Sequence, residues 1–123
     1  MIEFRELDEI VSIRDQLQED SDEPVVLINL FHVPPGGADE LVKAWEDDAR
    51  YFKGQPGFIS TQLHRGTSGS GTFLNYAIWE TVGAFRTAFS NPAFQSKLAA
   101  YPEGTIASPH LFRKLAVDGI CVG

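Results

Sequence analysis

The chain has 123 residues, 43% of them hydrophobic, with nine Phe and two Trp, which suits one domain with a full core. Ten Lys and Arg against 17 Asp and Glu leave a formal net charge of −7. That charge repels phosphate backbones and anionic lipid surfaces, so neither nucleic acid nor membrane is an expected partner. No apolar run reaches the length of a membrane span, and the opening Met1-Ile2-Glu3-Phe4-Arg5-Glu6 is acidic where a secretory signal is basic and then apolar. The expectation is a cytoplasmic protein. Cys121 is the single cysteine, so neither an intramolecular disulfide nor a cysteine metal site is expected.

In residues 4–19, Leu7, Ile10, Val11, Arg14 and Leu17 recur at helical spacing among acidic residues, predicting an amphipathic helix. The solvated stretch Glu19 to Pro24 then serves as a linker, so residues 1–23 read as a helix and linker outside the main domain. Val25 to Val33 is β-branched and almost continuously apolar, the pattern of a strand buried on both faces. Pro34-Pro35-Gly36-Gly37 ends it. From Asp39 a helical stripe of Leu41, Ala44, Trp45, Ala49 and Phe52 runs to Gly54, with Glu46 and Arg50 paired on the other side.

Gln55-Pro56-Gly57 is a turn into a second strand, Phe58 to Arg65. The loop Gly66 to Gly71 leads into a third, Thr72 to Trp79. It lacks the Gly-Lys-Ser/Thr ending of a phosphate loop and joins two strands, so it reads as a hairpin connection. Thr81 caps a helix carrying Val82, Phe85 and Phe89 on one stripe. Asn91-Pro92 breaks it before Phe94, Leu98 and Tyr101 resume the period. His110 to Val117 is expected as the fourth strand, and 119–123 as a tail.

The order is βαββαβ: an α+β, ferredoxin-like domain over residues 24–118, with a four-stranded antiparallel sheet and two helices on one face. Alternation puts Phe73, Asn75, Ala77 and Trp79 on one side of the third strand and Leu74, Tyr76 and Ile78 on the other. The second row is apolar and needs a cover, and a second copy provides one, giving a homodimer.

Val25 to Trp45, Gln55-Pro56-Gly57-Phe58, Trp79-Glu80-Thr81 and Ser90-Asn91-Pro92-Ala93-Phe94 together resemble the antibiotic biosynthesis monooxygenase superfamily, the dimeric α+β barrel group. Its quinone-forming members oxidise anthrone-type polyketides with neither metal nor flavin, and they carry an Asn four residues before a Trp on the third strand. Asn75 and Trp79 match that spacing. The resemblance implies a cofactor-independent monooxygenase that takes a small aromatic or polyketide-like substrate and O2, with no cofactor and no metal. A Tyr those enzymes use in the following helix is Phe85 here. The haem-degrading branch needs a helical His, and Ala88 to Leu98 contains none, although Asn29 matches its strand amide. A non-catalytic small-molecule-binding or stress-associated barrel is the alternative from another class.

Physically, a buried amide must find partners, and an amide N–H can donate to an oxyanion that develops during the reaction. Trp79 offers a face on which a flat ring can stack. Asn75, Trp79 and His64 are the candidate catalytic residues, His64 as the imidazole base by its ordinary pKa. Asn29, Phe52, Phe85 and Phe89 are the candidate substrate-binding residues, and Phe94 and Tyr101 are further aromatics expected to face the sheet.

Overall fold

A computed structural model describes residues 2–123. Strands β1 (Glu3–Phe4), β2 (Val25–His32), β3 (Phe58–Arg65), β4 (Thr72–Trp79) and β5 (Ile106–Phe112) form one sheet in the order β1-β5-β2-β4-β3. The pairs among β2 to β5 are antiparallel, and β1 runs parallel to β5. The expected ferredoxin-like plan is present, with one more strand than the four anticipated.

Alternation puts Val25, Leu27, Asn29 and Phe31 on the same face as Phe73, Asn75, Ala77 and Trp79, because the register sets Val25 opposite Trp79 and Phe31 opposite Phe73. Helices α2 (Ala38–Lys53), α3 (Val82–Phe89) and α4 (Pro92–Gln95), and the 3-10 turn Ser96–Ala100, pack on that face. The Thr81 hydroxyl accepts from Ala84 N–H at 3.0 Å and so opens α3. Asn91 caps α4, with Pro92 in its first turn. The break read at Asn91-Pro92 is therefore a second helix start.

Gly57 joins the turn to β3 with φ +86, and a Cβ there would lie 2.4 Å from that of Ala84. The glycine lets the start of β3 touch α3. The other sheet face carries Val26, Ile28, Leu30, Leu74 and Ile78, all half-buried, and the exposed Tyr76. No described helix is long and apolar enough to cross a membrane.

Two expectations need correction. The amphipathic helix expected within residues 4–19 is confined to α1 (Ile13–Leu17). The Asp8 carboxylate accepts from Ile10 N–H at 3.0 Å and Val11 N–H at 2.7 Å, a local turn in a stretch of bends over residues 7–11. Ser12 and Asp15 then form a reciprocal cap that starts α1. Ahead of it, Glu3–Phe4 joins the sheet.

The last strand is Ile106–Phe112, earlier than His110 to Val117, and contains Pro109 in its interior. Glu3 N–H and Arg5 N–H donate to the carbonyls of Thr105 and Ala107 on one edge of β5. Pro109 is the next residue on that edge, where β1 has already ended, so its missing N–H costs no ladder bond. One step on, the Gln16 amide stands in for a strand: it accepts from Leu111 N–H and donates to the Leu111 carbonyl, both at 2.9 Å.

Candidate functional site

Between the sheet and its helices lies a cavity of about 40 Å3, room for water but not for a fused ring system with the side chains as they stand. Its floor follows from the register. Asn29 on β2 is the partner of Asn75 on β4, with Pro109 beyond one and Leu63 beyond the other. In the neighbouring row, Ala77 is too small to fill the space above it, and Trp79 stands two residues further along. Phe52, Phe85 and Phe89 roof the cavity. Asn29, Asn75, Trp79, Phe52, Phe85 and Phe89 thus line one space.

The Thr61 hydroxyl donates to Asn75 Oδ1 at 2.5 Å. The bond fixes the amide and leaves Nδ2, with its two hydrogens, free of any described protein acceptor. Asn29 Oδ1 and Trp79 Nε1 are buried with no partner at all. Each such atom costs about 1–3 kcal/mol when left bare, so a cluster of them on one cavity marks a place where a ligand can complete hydrogen bonds. Trp79 is 1% exposed. The rings of Phe52 and Phe58 meet it at 5.8 and 5.5 Å in edge-to-face contacts, and that of Phe85 is tilted against it at 5.6 Å.

The helix side of the cavity brings an acid that the sequence reading passed over. Asp48 lies on α2, 4% exposed, and receives the Tyr101 hydroxyl on Oδ2 at 2.5 Å. Its Oδ1 is buried and unpartnered. Burial pushes the Asp48 carboxyl up from an ordinary 3.8 to about 6, against the lowering effect of the Tyr101 hydrogen bond; Asp47 raises it further and Lys97 lowers it. Tyr101 stacks on Phe31 at 5.7 Å. Its phenol is held above the usual range by burial and by Asp48. The signal was available: Asp48 falls three residues after Trp45 and four after Ala44, on the apolar stripe of the helix. Thr61 carried no signal, since its partner lies on another strand.

His64 is not part of this cluster. It pairs with Leu74 on the opposite sheet face and is exposed. A bulge between Phe58 and Ser60 shifts the phase of β3, so Phe58, Thr61 and Leu63 point to the helices while His64 points away. His32 and His110 share the outer phase of their strands, beside Thr72 and Ile28. Arg86 donates to the Leu17 carbonyl at 2.6 Å, tying α1 to α3.

The fold is α+β and ferredoxin-like, with a polar patch on the helix-facing side of the sheet. The sequence profile of the family described as "Antibiotic biosynthesis monooxygenase" matches residues 24–99, and the chain belongs to that family. It is similar to a mycobilin-producing haem oxygenase of Mycobacterium tuberculosis, 34% identical over 87 residues that span 69% of this chain and 83% of the relative. It is also similar to deoxynogalonate monooxygenase of Streptomyces nogalater, 36% identical over 75 residues, 61% of this chain and 62% of that one. Among solved structures it resembles SnoaB, a cofactor-independent oxygenase from Streptomyces nogalater, with a TM-score of 0.70 at 27% identity, covering 79% of this chain and 98% of that chain.

Proposed function

We propose that the protein is a cofactor-independent monooxygenase that converts a flat, electron-rich anthrone- or hydroquinone-type substrate to a quinone with O2, and that it works as a homodimer. The observation that carries this reading is the Asn75 amide, its oxygen held by Thr61 and its N–H groups left to the cavity. Removing a proton from such a substrate gives an anion that can itself reduce O2. A well-placed N–H donor stabilises the developing oxyanion by about 3 kcal/mol. Asn75 and Trp79 are four positions apart on the strand, about 13 Å along the backbone, so an extended flat ligand lying over Ala77 can approach both side chains.

Entry requires the aromatic roof to part. Phe4 is 45% exposed and meets Phe89 edge-on at 6.4 Å, and β1 holds it by only two register pairs. That edge is the natural mouth. The apolar outer row Ile28, Leu30, Leu74 and Ile78 supports the dimer, since pairing two such sheets removes both from water.

Similarity to a haem oxygenase favours haem as a second substrate class. The residues fit it poorly: His32, His64 and His110 all stand off the cavity face, leaving no imidazole to bind iron. Titration with haemin should therefore give no saturable Soret shift.

The test is quinone formation and O2 uptake with 1,8-dihydroxyanthrone in the presence of a chelator, corrected for autoxidation. The parent should turn over, and Asn75→Ala and Trp79→Phe should each lose most of the rate. Variants that match the parent sink the assignment.

A further inference from the structure

We infer that Asp48 is the group that takes the substrate's proton, which restricts the substrate to acids whose anion is delocalised from a ring carbon or phenol onto a carbonyl oxygen. This deepens the monooxygenase reading and rests on it.

The geometry is that of a base. Among the described residues Asp48 is the one buried carboxylate, and it lines the same cavity as Asn29, Asn75 and Trp79. Tyr101 occupies Oδ2 and fixes the rotamer, while Oδ1 is buried with no donor. A purely structural Asp–Tyr pair would satisfy both oxygens; this one keeps a bare acceptor. The carboxylate comes from a helix and the amides from the sheet. A flat ligand between them can thus lose its proton on one side while its oxygen meets Asn75 on the other. The histidines cannot compete, since all three lie on the other sheet face.

The charged groups near Asp48 are few. Asp47 neighbours it on α2, Lys97 approaches from the 3-10 turn and is held by Asp47 at 3.1 Å, and Tyr101 follows that turn. Asp48 therefore has no direct cationic partner, and desolvation leaves it ionised at neutral pH yet more basic than an ordinary carboxylate.

The chemistry balances with O2 as the only oxidant. The ring C–H bond breaks, its proton goes to Asp48 Oδ1, and the electron pair delocalises into the ring and its carbonyl oxygen. One electron passes to O2, and the radical pair joins in a C–O bond. The resulting peroxide anion recovers the proton from Asp48. Loss of the second ring proton and of hydroxide then leaves the new C=O and one water.

The experiment compares the parent with Asp48→Asn, Tyr101→Phe and Asn75→Ala, each checked by circular dichroism, using 1,8-dihydroxyanthrone as the probe. Mixed without oxygen at pH 7, the parent should convert bound probe to its coloured anion. Asp48→Asn, which keeps an acceptor for Tyr101, should bind the probe and leave it neutral. With oxygen, Asp48→Asn should lose about 100-fold or more in rate. The rise of the parent's rate with pH, centred about 6, should vanish with it. Tyr101→Phe should move that rise to higher pH, because the hydrogen bond it removes favours the ionised form. If Asp48→Asn ionises the probe as the parent does, or keeps the same pH profile, the base assignment is overturned. The monooxygenase reading still stands in that case if Asn75→Ala is inactive. A folded parent that neither ionises nor oxidises the probe overturns both.

Discussion

Thr61 on β3 donates its hydroxyl to the Asn75 carbonyl oxygen on β4 at 2.5 Å. The bond selects one of the two amide orientations, the one in which Nδ2 is the atom offered to a ligand. Thr61→Val keeps the shape and removes the donor. It should slow quinone formation by about fivefold, the equivalent of one ordinary hydrogen bond of about 1 kcal/mol. Asn75→Ala should cost more. Rates for both variants under one set of conditions check the ranking; equal effects would mean that the hydroxyl contributes as much as the amide it orients.

Asp48 also makes stability depend on pH. Its folded-state pKa is raised from 3.8 to about 6, so between those values the folded chain binds more protons than the unfolded one, and stability falls as pH rises. At about 1.4 kcal/mol for each pH unit, the stability at stake is about 3 kcal/mol, fully present below about pH 4 and lost above about pH 6. Asp48→Asn removes the titration and should be more stable than the parent at pH 7.5. Urea unfolding of both proteins at pH 4.5 and 7.5 measures the difference. A parallel response of the two would show that Asp48 does not titrate in that window.

Gly57 combines a positive φ with a 2.4 Å approach of its would-be Cβ to Ala84. Gly57→Ala meets both penalties and should destabilise the protein by more than about 1 kcal/mol, read as a lowered denaturant midpoint with an unchanged slope. Adding Ala84→Gly should recover the part due to the clash and leave the backbone strain.

The outer sheet face should carry the subunit contact. Leu74→Glu introduces a charge among Leu30, His64 and Tyr76 and should shift the protein from a dimer, twice the 13.6 kDa chain mass, to a monomer in sedimentation velocity. A parent that already sediments as a monomer removes the dimer from the account.

Much of this architecture could be read from alternation. The row Phe73, Asn75, Ala77 and Trp79 was legible because β4 is regular along its length, and the capped start at Thr81 and the break at Asn91-Pro92 were legible from residue type alone. What escaped depended on partners distant in the chain. The bulge at Phe58/Ser60 has no residue signature, and it turned His64 outward. Pro109 marks a strand end unless the neighbouring strand is known to stop short. The Asp8 turn replaced a helix whose apolar spacing looked sound. Asp48 was within reach, an acid set in an apolar helix stripe, but its link to Tyr101 crosses 53 residues.

The most direct measurement is the isotopic origin of oxygen in the quinone formed from 1,8-dihydroxyanthrone under 18O-labelled dioxygen, for the parent and Asn75→Ala. The parent should place one labelled atom in each quinone at a rate well above autoxidation, and Asn75→Ala should fall close to that background. Unlabelled product, or an Asn75→Ala rate equal to the parent's, would contradict the account.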